Sequence, residues 1–95
     1  MVYFVVTTYF DEEKNKEDYL KYIQAVKPIV NKYHGRYLVR SEKITALSAA
    51  WKPNRVIIIE FDTREQLERC FSSEEYRQIA SFRENSVDSR AIIIE

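Results

Sequence analysis

The chain has 95 residues, 45% of them hydrophobic, with a single Gly, two Pro and one Cys, a composition that excludes a disordered segment and a disulfide-stapled scaffold. A chain of this size buries roughly 65% of its unfolded surface, enough for one core with little to spare. Fifteen basic and 15 acidic side chains cancel and are mixed along the sequence, so neither a nucleic-acid partner nor a membrane surface is expected.

The first element is a strand, Val2–Thr8, followed by an acidic loop at Asp11–Lys14. Asn15 is a candidate N-cap, with Glu17 and Asp18 in the first turn where the helix dipole favours negative charge. Tyr19, Tyr22, Ile23, Val26, Ile29, Val30 and Tyr33 then recur at helical spacing and form one stripe. Pro28 removes the hydrogen bond to the carbonyl of Gln24, so a kink is expected there. Gly35 ends the helix as a C′ residue with positive φ.

The following stretch lacks Gly and Pro and reads as two strand pieces, Arg36–Arg40 and Ile44–Trp51, joined by a bulge at Ser41–Lys43. Lys52-Pro53-Asn54 is a turn into the next strand, Arg55–Phe61. A capping box, Thr63-Arg64-Glu65-Gln66, opens a short helix to about Phe71. A second box, Ser72-Ser73-Glu74-Glu75, restarts a helix running to about Ser86, and Ser89–Glu95 is the last strand. The order βαββαβ, with the second helix broken in two, defines one α+β domain of ferredoxin-like arrangement over residues 1–95, with an antiparallel sheet.

Two runs, Arg55–Phe61 and Arg90–Glu95, are apolar on both faces, and Val2–Thr8 is nearly as apolar. In RVIIIEF, Ile57 and Ile59 point one way and Val56 and Ile58 the other, whereas a half-exposed antiparallel strand alternates apolar and polar residues. Helices in so short a chain cover one sheet face. A homodimer formed through the other face is therefore expected. With one Cys, no signal peptide and no membrane-spanning run, the expected compartment is the cytoplasm.

The stretches HGRYLVR (His34–Arg40), WKPNRVIIIEF (Trp51–Phe61), SEEY (Ser73–Tyr76) and RENSVDSR (Arg83–Arg90) occur in an order that resembles the family called domain of unknown function 1330. The resemblance runs from Val2 to Glu95 and departs in one place: members often carry two glycines after the histidine, and here Arg36 follows Gly35. It implies the dimeric α/β-barrel form of the ferredoxin-like fold, two sheets facing each other with helices outside. It brings no settled activity.

Candidate site residues are few. His34, the only histidine, reads either as a helix-end residue suited to the C-terminal dipole or as a proton-transfer group, and its isolation favours the first. No second His or Cys stands at ligand spacing, so no metal and no cofactor are expected. Cys70, beside Leu67 and Phe71, reads as packing. Arg83 falls in the middle of a stripe of Tyr76, Ile79, Ala80 and Val87, where an arginine needs a partner. That partner is either structural, such as Glu60 or a carbonyl, or a ligand carboxylate or phosphate, with the Ser86 hydroxyl one turn on. Trp51 and Arg55 flank the turn into the central strand, and there packing and a surface or dimer-edge ion pair are the ordinary roles.

Two function classes follow. One is a protein binding a small anionic or aromatic molecule between helices and sheet, through Arg83, Ser86, Tyr37, Trp51 and His34, with cofactor-independent catalysis as its enzymatic form. Antibiotic-biosynthesis monooxygenases and muconolactone isomerases of the implied superfamily place substrates there, an analogy of fold alone. The other is a non-enzymatic dimeric module, structural or regulatory, with no ligand. Haem degradation, also known in that superfamily, is disfavoured because nothing surrounds His34.

Overall fold

A computed structural model describes residues 1–95. The elements run β1 (Val2–Phe10), α1 (Lys16–Lys32), β2 (Arg36–Ser41), β3 (Arg55–Phe61), α2 (Arg64–Ser72), α3 (Glu74–Glu84) and β4 (Val87–Ile94). The four strands form one antiparallel sheet in the order β2-β3-β1-β4. This is the expected ferredoxin-like α+β arrangement, with the second helix broken in two. No helix is long and apolar enough to cross a membrane.

Local chemistry sets the helix ends. The Asn15 side chain accepts from the Glu17 amide at 2.9 Å, and Thr63 Oγ1 accepts from the Gln66 amide at 3.1 Å. The break between α2 and α3 centres on Ser73, one residue later than the sequence suggests. Its extended backbone (φ −65°, ψ 152°) ends one helix and starts the next. Its hydroxyl donates to the Cys70 carbonyl at 2.7 Å and accepts from the Tyr76 amide at 3.2 Å. Helix α1 continues through Pro28.

At the end of α1 the left-handed residue is His34 (φ 65°), and Gly35 has no positive φ, contrary to expectation. The His34 amide donates to the Asn31 carbonyl (3.1 Å) and the Gly35 amide to that of Val30 (2.9 Å). These are the two bonds of a Schellman motif, with His34 at C′ and Gly35 following it. Glycine is required at 35 for space. A Cβ there would stand 2.6 Å from Val30 Cγ1 and 2.9 Å from the Phe61 ring.

A second correction concerns Ile44–Trp51, which forms no strand. Both edges of β3 are already occupied, by β2 and β1, and Thr45–Lys52 are all exposed, so this stretch has neither a ladder partner nor a buried face. The bulge lies instead inside β2, where the register shifts between Tyr37 and Val39. The connection returns through Asn54, whose amide donates to the Thr8 carbonyl (2.8 Å) and whose side chain accepts from the Phe10 amide (2.9 Å).

The helices cover one face of the sheet. Val2, Ile59 and Phe61 meet Val26 and Val30 of α1, Leu67 and Cys70 of α2 and Tyr76 of α3 in one buried cluster. Strand alternation sends Tyr3, Val5, Val56, Ile58, Ile92 and Ile94 to the opposite, open face. Ile92 is 59% and Ile94 47% exposed.

Candidate functional site

Between helices and sheet lies a cavity of about 40 Å³, room for roughly three water molecules. Its walls are aromatic. Phe4 of β1 stacks on Phe71 of α2 with centroids 4.4 Å apart, and Phe71 meets the Tyr76 ring edge-on at 5.0 Å. Tyr22 on α1 reaches across to Tyr76 on α3, the two phenol oxygens 3.0 Å apart. Tyr37, from β2, also lines the space, with the Arg40 guanidinium 5.4 Å from its ring.

Arg83 enters this cavity from the last turn of α3, its guanidinium carbon 5.9 Å from the centre of the Tyr22 ring. Its Nε is buried and meets no acceptor. The structural partner considered for it, Glu60, lies on the open face and binds Arg36 at 2.9 Å. The stripe that singled out Arg83 also needs revision, because α3 stops at Glu84 and Val87 opens β4.

Beside Arg83, the Oγ of Ser89 is likewise buried without a partner. The hydroxyl expected to help, that of Ser86, instead bonds its own chain. It donates to the Phe82 carbonyl at 2.6 Å, with the Arg83 carbonyl at 3.2 Å. Of the five residues singled out, then, Arg83 and Tyr37 share the cavity and Ser86 turns away from it. His34 is exposed at the end of α1. Trp51 is exposed on the loop after β2, where its Nε1 donates to the Tyr9 hydroxyl at 2.8 Å.

Arg55, expected in a surface or dimer-edge ion pair, is buried rather than on the surface, with only a long ion pair. It is 8% exposed, and its closest acid, Glu42, stands 4.0 Å away. Its Nε is a third buried polar atom of this region without a partner. Parity along RVIIIEF could have found it, since Arg55, Ile57, Ile59 and Phe61 share the face toward the helices. Tyr22 and Tyr76 lie on the helical stripes read above, although nothing there pairs their hydroxyls, and Ser89 carries no such signal.

Electrostatics define what the cavity can do. Burial pushes the Tyr22 phenol far above the ordinary tyrosine range, and the neighbouring Tyr76 adds to this. Burial also raises Tyr37 and Tyr19. The buried Cys70 thiol is pushed up to about 12. The tyrosines stay protonated near neutrality and line the cavity with hydroxyls rather than a base, and Cys70, outside that lining, offers no thiolate. The arrangement suits recognition of an acceptor-rich, negatively charged group.

This geometry defines a ferredoxin-like domain with an arginine-bearing aromatic cavity between helices and sheet. The chain belongs to the family described as Domain of unknown function (DUF1330), whose model matches residues 2–95. No curated protein matches it. Among solved structures it is similar to a protein of unknown function from Rhodopseudomonas palustris, with 16% identity, a TM-score of 0.82, and coverage of 98% of this chain and 79% of that one. A dimeric protein of unknown function and ferredoxin-like fold from Bacteroides fragilis aligns at 12% identity and a TM-score of 0.60, over 99% and 94% of the two chains. SnoaB, a cofactor-independent oxygenase from Streptomyces nogalater, aligns at 13% identity and a TM-score of 0.66, over 99% and 90%. At such identities the likeness is one of fold.

Proposed function

We propose that this protein is a cytoplasmic homodimer that binds a small anionic or aromatic molecule between its helices and sheet. The observation that supports the reading best is Arg83, a cation among aromatic rings with no acid partner and a buried Nε lacking an acceptor. The residue is half-buried, and an acidic ligand supplies the acceptor that its Nε lacks. Tyr37 and Ser89 complete the lining beside it, while Trp51, His34 and Ser86 act outside this cavity.

Cofactor-independent catalysis, as in the oxygenase with the similar fold, is the enzymatic form of this proposal. In that form the aromatic walls orient the substrate and Arg83 stabilises negative charge developing on it. The alternative, a dimeric structural or regulatory module without a ligand, draws support from the small cavity and from the absence of a group tuned to act as a base.

Thermal-shift titration with formate and acetate separates the two. The ligand reading expects stabilisation that saturates, and Arg83→Met, which keeps the apolar stem, should fold normally and lose it. A carboxylate response identical in the two proteins, or absent from both, supports the module instead.

A further inference from the structure

Outside the Arg83 cavity, on the far side of Tyr19, a groove of about 340 Å³ opens between the first half of α1, the end of β1 and the start of β4. Its size lies within the ordinary range of small-molecule sites, roughly 300–1,000 Å³. Phe10, Tyr19, Leu20, Ile23 and Val87 give it an apolar wall. Two of these, Phe10 (40%) and Leu20 (58%), are large hydrophobic side chains left exposed. Arg55 sits in the groove with its side chain 10% exposed and its Nε buried without an acceptor.

The Glu42 carboxylate is 4.0 Å from Arg55 Nη1, beyond hydrogen-bond reach, and its own side chain is 56% exposed. It is a loose counter-ion that a better-placed carboxylate can replace. The remaining charges narrow the ligand class. Lys16 and Asp11 also line the groove, with no ion pair between them, and Ser86 Oγ donates its proton to the Phe82 carbonyl. The groove therefore offers one buried cation, Arg55, beside the exposed Lys16, and its two acids, Asp11 and Glu42, oppose a second negative charge on a ligand.

We infer that this groove binds a monocarboxylate with an apolar, benzoate-sized body, its carboxylate on Arg55 in place of Glu42 and its body against Tyr19, Leu20 and Ile23. The inference rests on the reading that the space between α1 and the sheet accepts small anionic molecules, and it adds a second, larger position with its own arginine.

Calorimetric titration with benzoate, and with benzamide as an uncharged control, tests it. Benzoate should bind saturably and benzamide at least about tenfold more weakly, the difference expected for one charge-assisted contact. Arg55→Met should lower benzoate affinity by about tenfold or more, while Arg83→Met should leave it within about twofold. Leu20→Trp, an exposed position that can fold with the larger side chain, fills the groove and should also weaken binding should Arg55→Met prove unstable. No benzoate binding, equal binding of benzamide, or full affinity in Leu20→Trp would each overturn the inference. Loss of benzoate binding in Arg83→Met with retention in Arg55→Met would overturn it as well, yet leave the Arg83 cavity as the ligand site.

Discussion

A methyl group added at position 35 would press on Val30 Cγ1 at 2.6 Å and on the Phe61 ring at 2.9 Å, and both neighbours are fully buried. Neither can move aside cheaply in a close-packed interior. Gly35→Ala should therefore destabilise the fold by about 1–3 kcal/mol, read as a lower urea midpoint. His34→Gly relieves a left-handed residue but loosens the unfolded chain, and should change stability by less than about 1 kcal/mol. If alanine at 35 proves neutral, the packing explanation fails. Residue chemistry also fixes the pH response. Cys70 is raised from 9.0 to about 12, and Tyr19, Tyr22 and Tyr37 are raised from 10.0, all chiefly by burial. In each case the folded value lies above the unfolded one, so the stabilisation is fully present below the unfolded value. It is lost as pH rises toward the folded value, because the unfolded chain then binds fewer protons. Urea midpoints should be level through neutrality and fall progressively above pH 9. A midpoint unchanged to pH 11 would contradict the burial of these groups.

Elements were legible in the sequence where local rules decide them. The Asn15 and Thr63 caps and the acidic first turns need only near neighbours, and the structure realises them as read. Ser73 in place of Ser72 is a shift of one residue between adjacent serines that both satisfy the same box pattern. Ile44–Trp51 failed because a strand requires a partner, and whether an edge is free depends on topology rather than on propensity. The site divides along the same line. Arg83 stands out because a charge interrupts a helical stripe, whereas the burial of Arg55 is legible only from parity in its strand, the ordinary role of such a residue being a surface or dimer-edge ion pair. The Tyr22–Tyr76 contact joins residues 54 apart, on helices brought together only by the fold. No periodicity encodes that meeting, nor the isolation of Ser89 Oγ, which lines the same cavity as Arg83.

At the scale of the whole molecule, the open sheet face carries Tyr3, Val5, Val56, Ile58, Ile92 and Ile94 with no helix over them. Singly exposed apolar residues are ordinary, but a contiguous set on one face marks an interaction surface. The occupant we propose is a second copy of the same sheet, because all three helices already lie on the other face and none is left to cover this one. Face-to-face pairing of this kind should bury about 800 Å² per subunit or more, the standard size of a stable interface. It should also leave the opposite, helix-covered side and both cavities intact. Ile58 lies at the centre of the face and Ile57, its neighbour, points into the core beside Ile59. The two positions therefore make an internal control. Ile58→Asp or Ile92→Asp puts a charge on the pairing face alone, and should give a folded monomer by analytical ultracentrifugation, or aggregate through the exposed surface. Ile57→Asp buries the charge within the subunit and should unfold it outright, by several kcal/mol. An unmodified protein that sediments as a monomer at micromolar concentration would remove the dimer, and the apolar face would then need a different partner.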